Sequence, residues 1–158
     1  MTSASLRVFF PQSPRDAECH VYVQGETLKC EAKGQARNVV YMKLREEAAA
    51  FETDPGFPPD GRHCDWAVFT TAKDKSTFIE FKGRHVVDSV GQLVSTIRYV
   101  LSRLEGFPAP RVAYCVTTGG GHPRIPRTGN ASFSMTLNKS IPRCIFKTVR
   151  TGSTVTFF

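Results

Sequence analysis

From Arg111 to its last residue the chain contains no aspartate or glutamate. Seven basic residues stand unopposed there: Arg111, Arg124, Arg127, Lys139, Arg143, Lys147 and Arg150. The whole 158-residue chain carries a formal charge of +7, a balance that favours polyanionic partners through counterion release. The basic stretch reads either as a solvated surface or as a phosphate-tracking face beside an active site. Long hydrophobic runs are also missing. None approaches the roughly 20 apolar residues that span a bilayer. The segment Met1–Phe10 lacks the apolar core of a secretory signal, so a cytoplasmic protein without membrane attachment is expected.

Cysteine is poorly spaced for structural chemistry. The five residues Cys19, Cys30, Cys64, Cys115 and Cys144 are odd in number and form no C-x-x-C pair. That spacing argues against a disulfide framework and a structural zinc site. Cys64 and Cys115 lie in apolar runs and read as small buried residues. The four histidines, His20, His63, His85 and His122, include no i,i+4 pair. The glycine-rich nucleotide signatures G-x-x-x-x-G-K-[ST] and G-x-G-x-x-G are absent, as are helix-turn-helix and zinc-finger patterns. There are no internal repeats, and the length suits one domain.

What is present reads as alternating elements. Leu6–Phe10 and Cys19–Gln24 have strand character. Val39-Val40-Tyr41 also suits a strand, whereas Leu44–Ala50 is rich in helix formers. Asp54–Gly61, with Pro55, Pro58 and Pro59, is a loop. Cys64–Thr70 and Thr77–Lys82 predict a hairpin across the polar turn Thr71–Ser76. Asp88 is placed to cap a helix whose Val90, Leu93, Val94, Ile97, Val100, Leu101 and Leu104 form one apolar stripe. Gly106 and Pro108 end it. Arg111–Thr117 reads as a buried strand, residues 119 to 130 as irregular, and Arg143–Arg150 and Thr154–Phe158 as last strands. The order implies an α/β sandwich with the long helix on one sheet face.

Chemistry concentrates in the hairpin. Alternation sends Phe78, Glu80 and Lys82 to one face and Ile79 and Phe81 to the other, where these two are expected to pack under the helix. Asp65, opening the neighbouring strand, can be brought level with Glu80 and Lys82. Two carboxylates satisfy the preference of Mg²⁺ for hard oxygen ligands, with water and a substrate phosphate completing its shell. The backbone carbonyl of Phe81 is a further candidate ligand. Lys82 suits orienting an attacking water or offsetting charge on the phosphate. E-x-K alone is weak, arising by chance in roughly half of chains this long. Its competing reading is a surface ion pair worth about 0.2–1 kcal/mol.

The arrangement of Asp65 in Cys64-Asp65-Trp66, then Glu80 and Lys82 in Phe78-Ile79-Glu80-Phe81-Lys82-Gly83, followed by a helix, resembles the PD-(D/E)XK nuclease superfamily. The resemblance covers about residues 60–118, with Cys64 where the motif's proline would stand. It implies a restriction-endonuclease-like core, a mixed central sheet with flanking helices in the order αβββαβ. It also implies a glutamine facing the site from the following helix, here Gln92. A glutamate on an N-terminal helix is a further ligand in many members, and Glu47 is the candidate. The implied function is an endonuclease using Mg²⁺ (or Mn²⁺) to hydrolyse nucleic acid, with DNA the expected substrate and a homodimer a possible assembly. The alternatives are a nuclease-fold binding or assembly module with an idle site, and a basic RNA-binding domain.

Overall fold

The computed structural model describes residues 19–24, 27–32, 48–52, 62–70, 75–83, 85–117 and 129–156. Their elements run β1 (Cys19–Gln24), β2 (Thr27–Ala32), β3 (Ala48–Glu52), β4 (Trp66–Thr70), β5 (Lys75–Lys82), α1 (Val87–Arg103), β6 (Val112–Thr117), α2 (Gly129–Ser140), β7 (Ile145–Arg150) and β8 (Thr154–Thr156). Two sheets result. One holds β1-β2-β8 and the other β3-β4-β5-β6-β7. The five-stranded sheet is mixed: β3, β4 and β5 are antiparallel, and β5, β6 and β7 are parallel. This is the mixed α/β architecture expected from the sequence. Among the described residues no helix is long and apolar enough to cross a membrane.

Parallel neighbours need crossovers, and α1 and α2 supply them between β5 and β6 and between β6 and β7. Successive crossovers of one hand, moving one way along a sheet, leave both helices on the same face. The core reflects that. Val90, Leu93, Ile97 and Val100 of α1 and Phe133 and Leu137 of α2 share one cluster with Phe78, Ala113, Cys115 and Phe146 of the sheet. The Phe133 and Phe146 rings meet edge to face at 5.3 Å. Ser134 Oγ donates to the Phe146 carbonyl at 3.2 Å and accepts from its N–H at 3.0 Å, so α2 closes part of the β7 edge.

Several expectations change. Phe78, not Ile79 or Phe81, faces the helices, with Phe107 against it at 6.1 Å between ring centroids. Ile79 pairs with Trp66 and Tyr114 on the opposite face, and all three are buried. Alternation separates two faces correctly but cannot say which carries the helices when both are buried. Asp88 does not cap α1. Val86 holds the N-cap position without a side-chain hydrogen bond, and Asp88 lies in the first turn, where a carboxylate suits the helix dipole. The helix ends as expected, with Leu104 extended and Gly106 at φ +76°.

Ala48–Ala50 form strand β3, although alanine favours helices, because pairing along β4 supplies the backbone bonds that propensity alone does not. The stretch 129–140 is a helix. Its apolar signal is thin, Phe133 and Leu137 among serines, threonine and asparagines, with Ile141 just beyond. Strand β2 alternates Leu28, Cys30 and Ala32 with Thr27, Lys29 and Glu31, a period-2 pattern that marks a strand, although the elements expected above do not include it. Strand β8 joins β2 rather than β7. The expected strand Leu6–Phe10 lies outside the described residues.

Candidate functional site

The register of the β4–β5 hairpin builds the site. Trp66 opposes Ile79, so one further step sets Asp65 opposite Glu80 on the same face. The chain secures that step directly, since the Phe81 N–H donates to Asp65 Oδ2 at 2.7 Å. Glu80 also lies beside Cys115, and Lys82 beside Thr117, in the parallel register of β5 and β6. The carboxylates therefore occupy the end of the sheet where β5 and β6 terminate, on the helix-bearing face. Ligand sites in open α/β sheets concentrate at these carboxyl ends.

Burial sets the electrostatics. Glu80 is only 2% exposed, and Lys82 Nζ holds its Oε1 at 2.8 Å. Its other oxygen, Oε2, is buried without a hydrogen-bond partner. Burial first, then the Asp65 charge, push the Glu80 carboxyl up to about 8, against the hydrogen bond and charge of Lys82 that pull it down. A proton shared with Asp65 adds to the rise, and that hydrogen bond exists only while one of the two acids is protonated. With both ionised, Oε2 is an orphaned buried acceptor, a costly state that a cation would relieve.

Burial holds the thiols around this pair in their protonated form. Burial drives Cys64 well above its ordinary value, with Glu80 adding to the rise. Cys115 is pushed up to about 12, chiefly by burial, while a hydrogen bond with Ser89 of the first α1 turn pulls it down. As expected, Cys64 and Cys115 are buried and free.

Gln92 is brought near the site through the backbone before Asp65. Its Nε2 donates to the His63 carbonyl at 2.9 Å. One turn on, Thr96 Oγ1 accepts from the Cys64 N–H at 2.8 Å and donates to the Gln92 carbonyl at 3.0 Å. Helix α1 thus clamps residues 63 and 64 and fixes where Asp65 begins. Sequence reasoning passes over Thr96, though its i,i+4 relation to Gln92 on one helix face is a readable signal.

Other candidates fare differently. Glu47 lies outside the described residues. His63 is half-buried and His85 exposed. Among the described members of the basic stretch, Arg150 alone reaches this end by register. It aligns with Thr117, and Thr117 with Lys82, in one row across three strands on the same face. Arg111 and Arg143 lie at the opposite strand ends, so the stretch as a whole does not sit beside the carboxylates.

Among the described residues no group of three His, Cys, Asp or Glu side chains converges as a metal cluster. The donors expected from the sequence are Asp65, Glu80 and the Phe81 carbonyl. Two carboxylates suit Mg²⁺, which retains water and completes its octahedron with substrate oxygens. The orphaned Glu80 Oε2 fits the same requirement. Compared with protein-family models, curated proteins and solved structures, the chain shows no significant match to any.

Proposed function

We propose that the chain is a metal-dependent nuclease in which Asp65 and Glu80 hold Mg²⁺ or Mn²⁺ and Lys82 assists hydrolysis of a phosphodiester. One observation carries the reading. Two carboxylates are forced together at the carboxyl end of a mixed sheet, one with a buried oxygen that has no donor. Removing charge from water to leave it unsatisfied is expensive, and functional sites are where such arrangements concentrate. The order β3-β4-β5-α1-β6 also supports reading the sheet as the βββαβ part of a restriction-endonuclease-like core.

A bound divalent cation supplies a more acidic water and offsets charge gathering on the phosphate. The remaining work falls to the chain. Asp65 is aimed by the Phe81 N–H, and Glu80 is desolvated so that its ionised form favours a cation over water. Lys82, 23% exposed beside Glu80, can turn from its carboxylate toward the attacked phosphate and stabilise the developing charge. Arg150, in the row of Lys82, suits a flanking phosphate, which its planar fork binds in bidentate fashion. DNA is the proposed substrate, and a second copy would bring the second strand's site.

The Lys82–Glu80 bond favours a second reading, because it satisfies one carboxylate oxygen without a metal ion. Under it the domain is a binding or assembly module with an idle site. Plasmid, single-stranded DNA and RNA incubated with Mg²⁺, Mn²⁺ or EDTA separate the two. Metal-dependent cleavage lost in both Asp65→Ala and Lys82→Ala supports the nuclease. Binding without cleavage supports the module, and cleavage unchanged in both variants removes the site from the reaction.

A further inference from the structure

At the ends of β6 and β7 remote from Asp65 and Glu80 lies a cleft of about 620 Å³. Arg111, Arg143 and Lys147 line it together with apolar Val112, Ile145 and Pro142. Among the described residues no acidic side chain takes part in the lining. All three basic residues are exposed, and Ile145 beside them is 52% exposed. The placement follows from register. Val112 pairs with Ile145, and the Ile145 N–H reaches the Arg111 carbonyl at 2.9 Å, so Arg111 and Arg143 flank two adjacent strand starts.

Arg143 has an unusual backbone. Its φ is 66°, in the left-handed region that residues with a β-carbon rarely adopt. Its N–H donates to Asn138 Oδ1 at 3.1 Å, which holds the turn between α2 and β7 in that form. The turn thereby presents an arginine at the cleft rather than the glycine that this conformation prefers.

We propose that this cleft binds the phosphodiester backbone of a nucleic-acid strand, as an anchoring site separate from the carboxylate pair. Charge complementarity selects the occupant. Guanidinium forks match phosphate oxygens, and two arginines, Arg111 and Arg143, flanking adjacent strand starts suit a repeating polyanion better than one small anion. The cationic line also continues. Along the edge strand, Lys147 and Arg150 lead from the cleft toward the row of Lys82, and β7 itself spans roughly 16 Å at about 3.3 Å per residue. Lys147 and Arg150 leave opposite faces, so a strand following them crosses the sheet edge past the part that α2 covers. The choice of nucleic acid as the polymer rests on the function proposed above.

The test is binding of a fluorescein-labelled 30-nucleotide DNA by anisotropy in EDTA across a salt series, which separates binding from cleavage. Arg111→Gln/Arg143→Gln is compared with Arg98→Gln/Arg103→Gln, which removes the same charge from exposed positions on α1. The cleft variant should bind at least ten-fold more weakly. Its plot of log affinity against log salt should be shallower by about 1.4, at roughly 0.7 for each phosphate of a single strand that the two arginines neutralise. Circular dichroism of both variants checks folding, and Arg111→Lys/Arg143→Lys, which keeps the charge, should recover part of the affinity. Equal weakening in the two Gln variants, an unchanged slope, or no DNA binding by the wild type overturns the proposal. Cleavage with normal binding in the cleft variant sinks the cleft and leaves the nuclease standing. Cleft-dependent binding without metal-dependent cleavage does the reverse.

Discussion

Gln92 on α1 donates its side-chain amide to the carbonyl of His63, two residues before Asp65. With Thr96 holding the Cys64 N–H one turn later, the helix sets the position of the aspartate through the backbone that leads into it. Both are therefore positioning residues.

Thr96→Val leaves the buried Cys64 N–H without its acceptor, a loss of about 1–3 kcal/mol. Gln92→Ala should cost less, since Gln92 is only partly buried. Urea unfolding measures both. If the nuclease reading holds, cleavage by folded Thr96→Val at saturating DNA should fall roughly ten-fold, because a small misplacement of a reacting group is costly. Full activity would show that the clamp serves stability alone.

Glu80 gives the metal-free protein an inverted pH dependence. Its folded value, about 8, stands above the ordinary 4.5, so between those values the folded chain holds a proton that the unfolded chain has released. This group's contribution is most favourable below pH 4.5 and declines as pH rises to about 8. The decline is on the order of a few kcal/mol. Thermal melts in EDTA should show it, and Glu80→Gln should flatten it. A pH profile identical in wild type and Glu80→Gln would show that the carboxyl is not desolvated.

Burial of Cys64, Cys115 and Cys144 should make their thiols unreactive in the folded protein. Iodoacetamide labelling at pH 8 followed by peptide mapping should modify these three only after denaturant is added. Rapid labelling of Cys115 in the native state would contradict the packing of α1 over β6.

The second helix is testable by contrast along its own length. Leu137→Ala should cost about 2–5 kcal/mol, because the side chain is fully buried between α2 and the sheet. Met135→Ala, at a position 66% exposed, should stay within about 0.5 kcal/mol. Chemical denaturation of the two variants checks the difference, and equal losses would place α2 differently.

Much of the site is legible in the sequence because it is local. Two residues of one strand at i,i+2 share a face whatever the fold, and a short hairpin brings Asp65 to them. The α1 stripe is equally plain, since Val90, Leu93, Ile97 and Val100 repeat at helical spacing. Legibility fails where the deciding information is not local. Whether Phe78 or Ile79 faces the helices depends on which side the crossovers take, and both residues are fully buried. Ala48–Ala50 become a strand because β4 offers an edge, and α2 holds its place through Ser134, Phe133 and Leu137 against weak intrinsic propensity. The basic residues look like one block in sequence, but the fold divides those of β6 and β7 between the two ends of these strands.

Mn²⁺ binding, followed by the loss of the free ion's electron paramagnetic resonance signal, tests the central claim most directly. Wild type should take up one ion per chain, more tightly at pH 8.5 than at pH 6 because Glu80 must lose its proton first. Asp65→Ala and Glu80→Gln should each abolish that uptake while remaining folded. Undiminished binding in both variants, or no binding by the wild type at pH 8.5, would contradict the account.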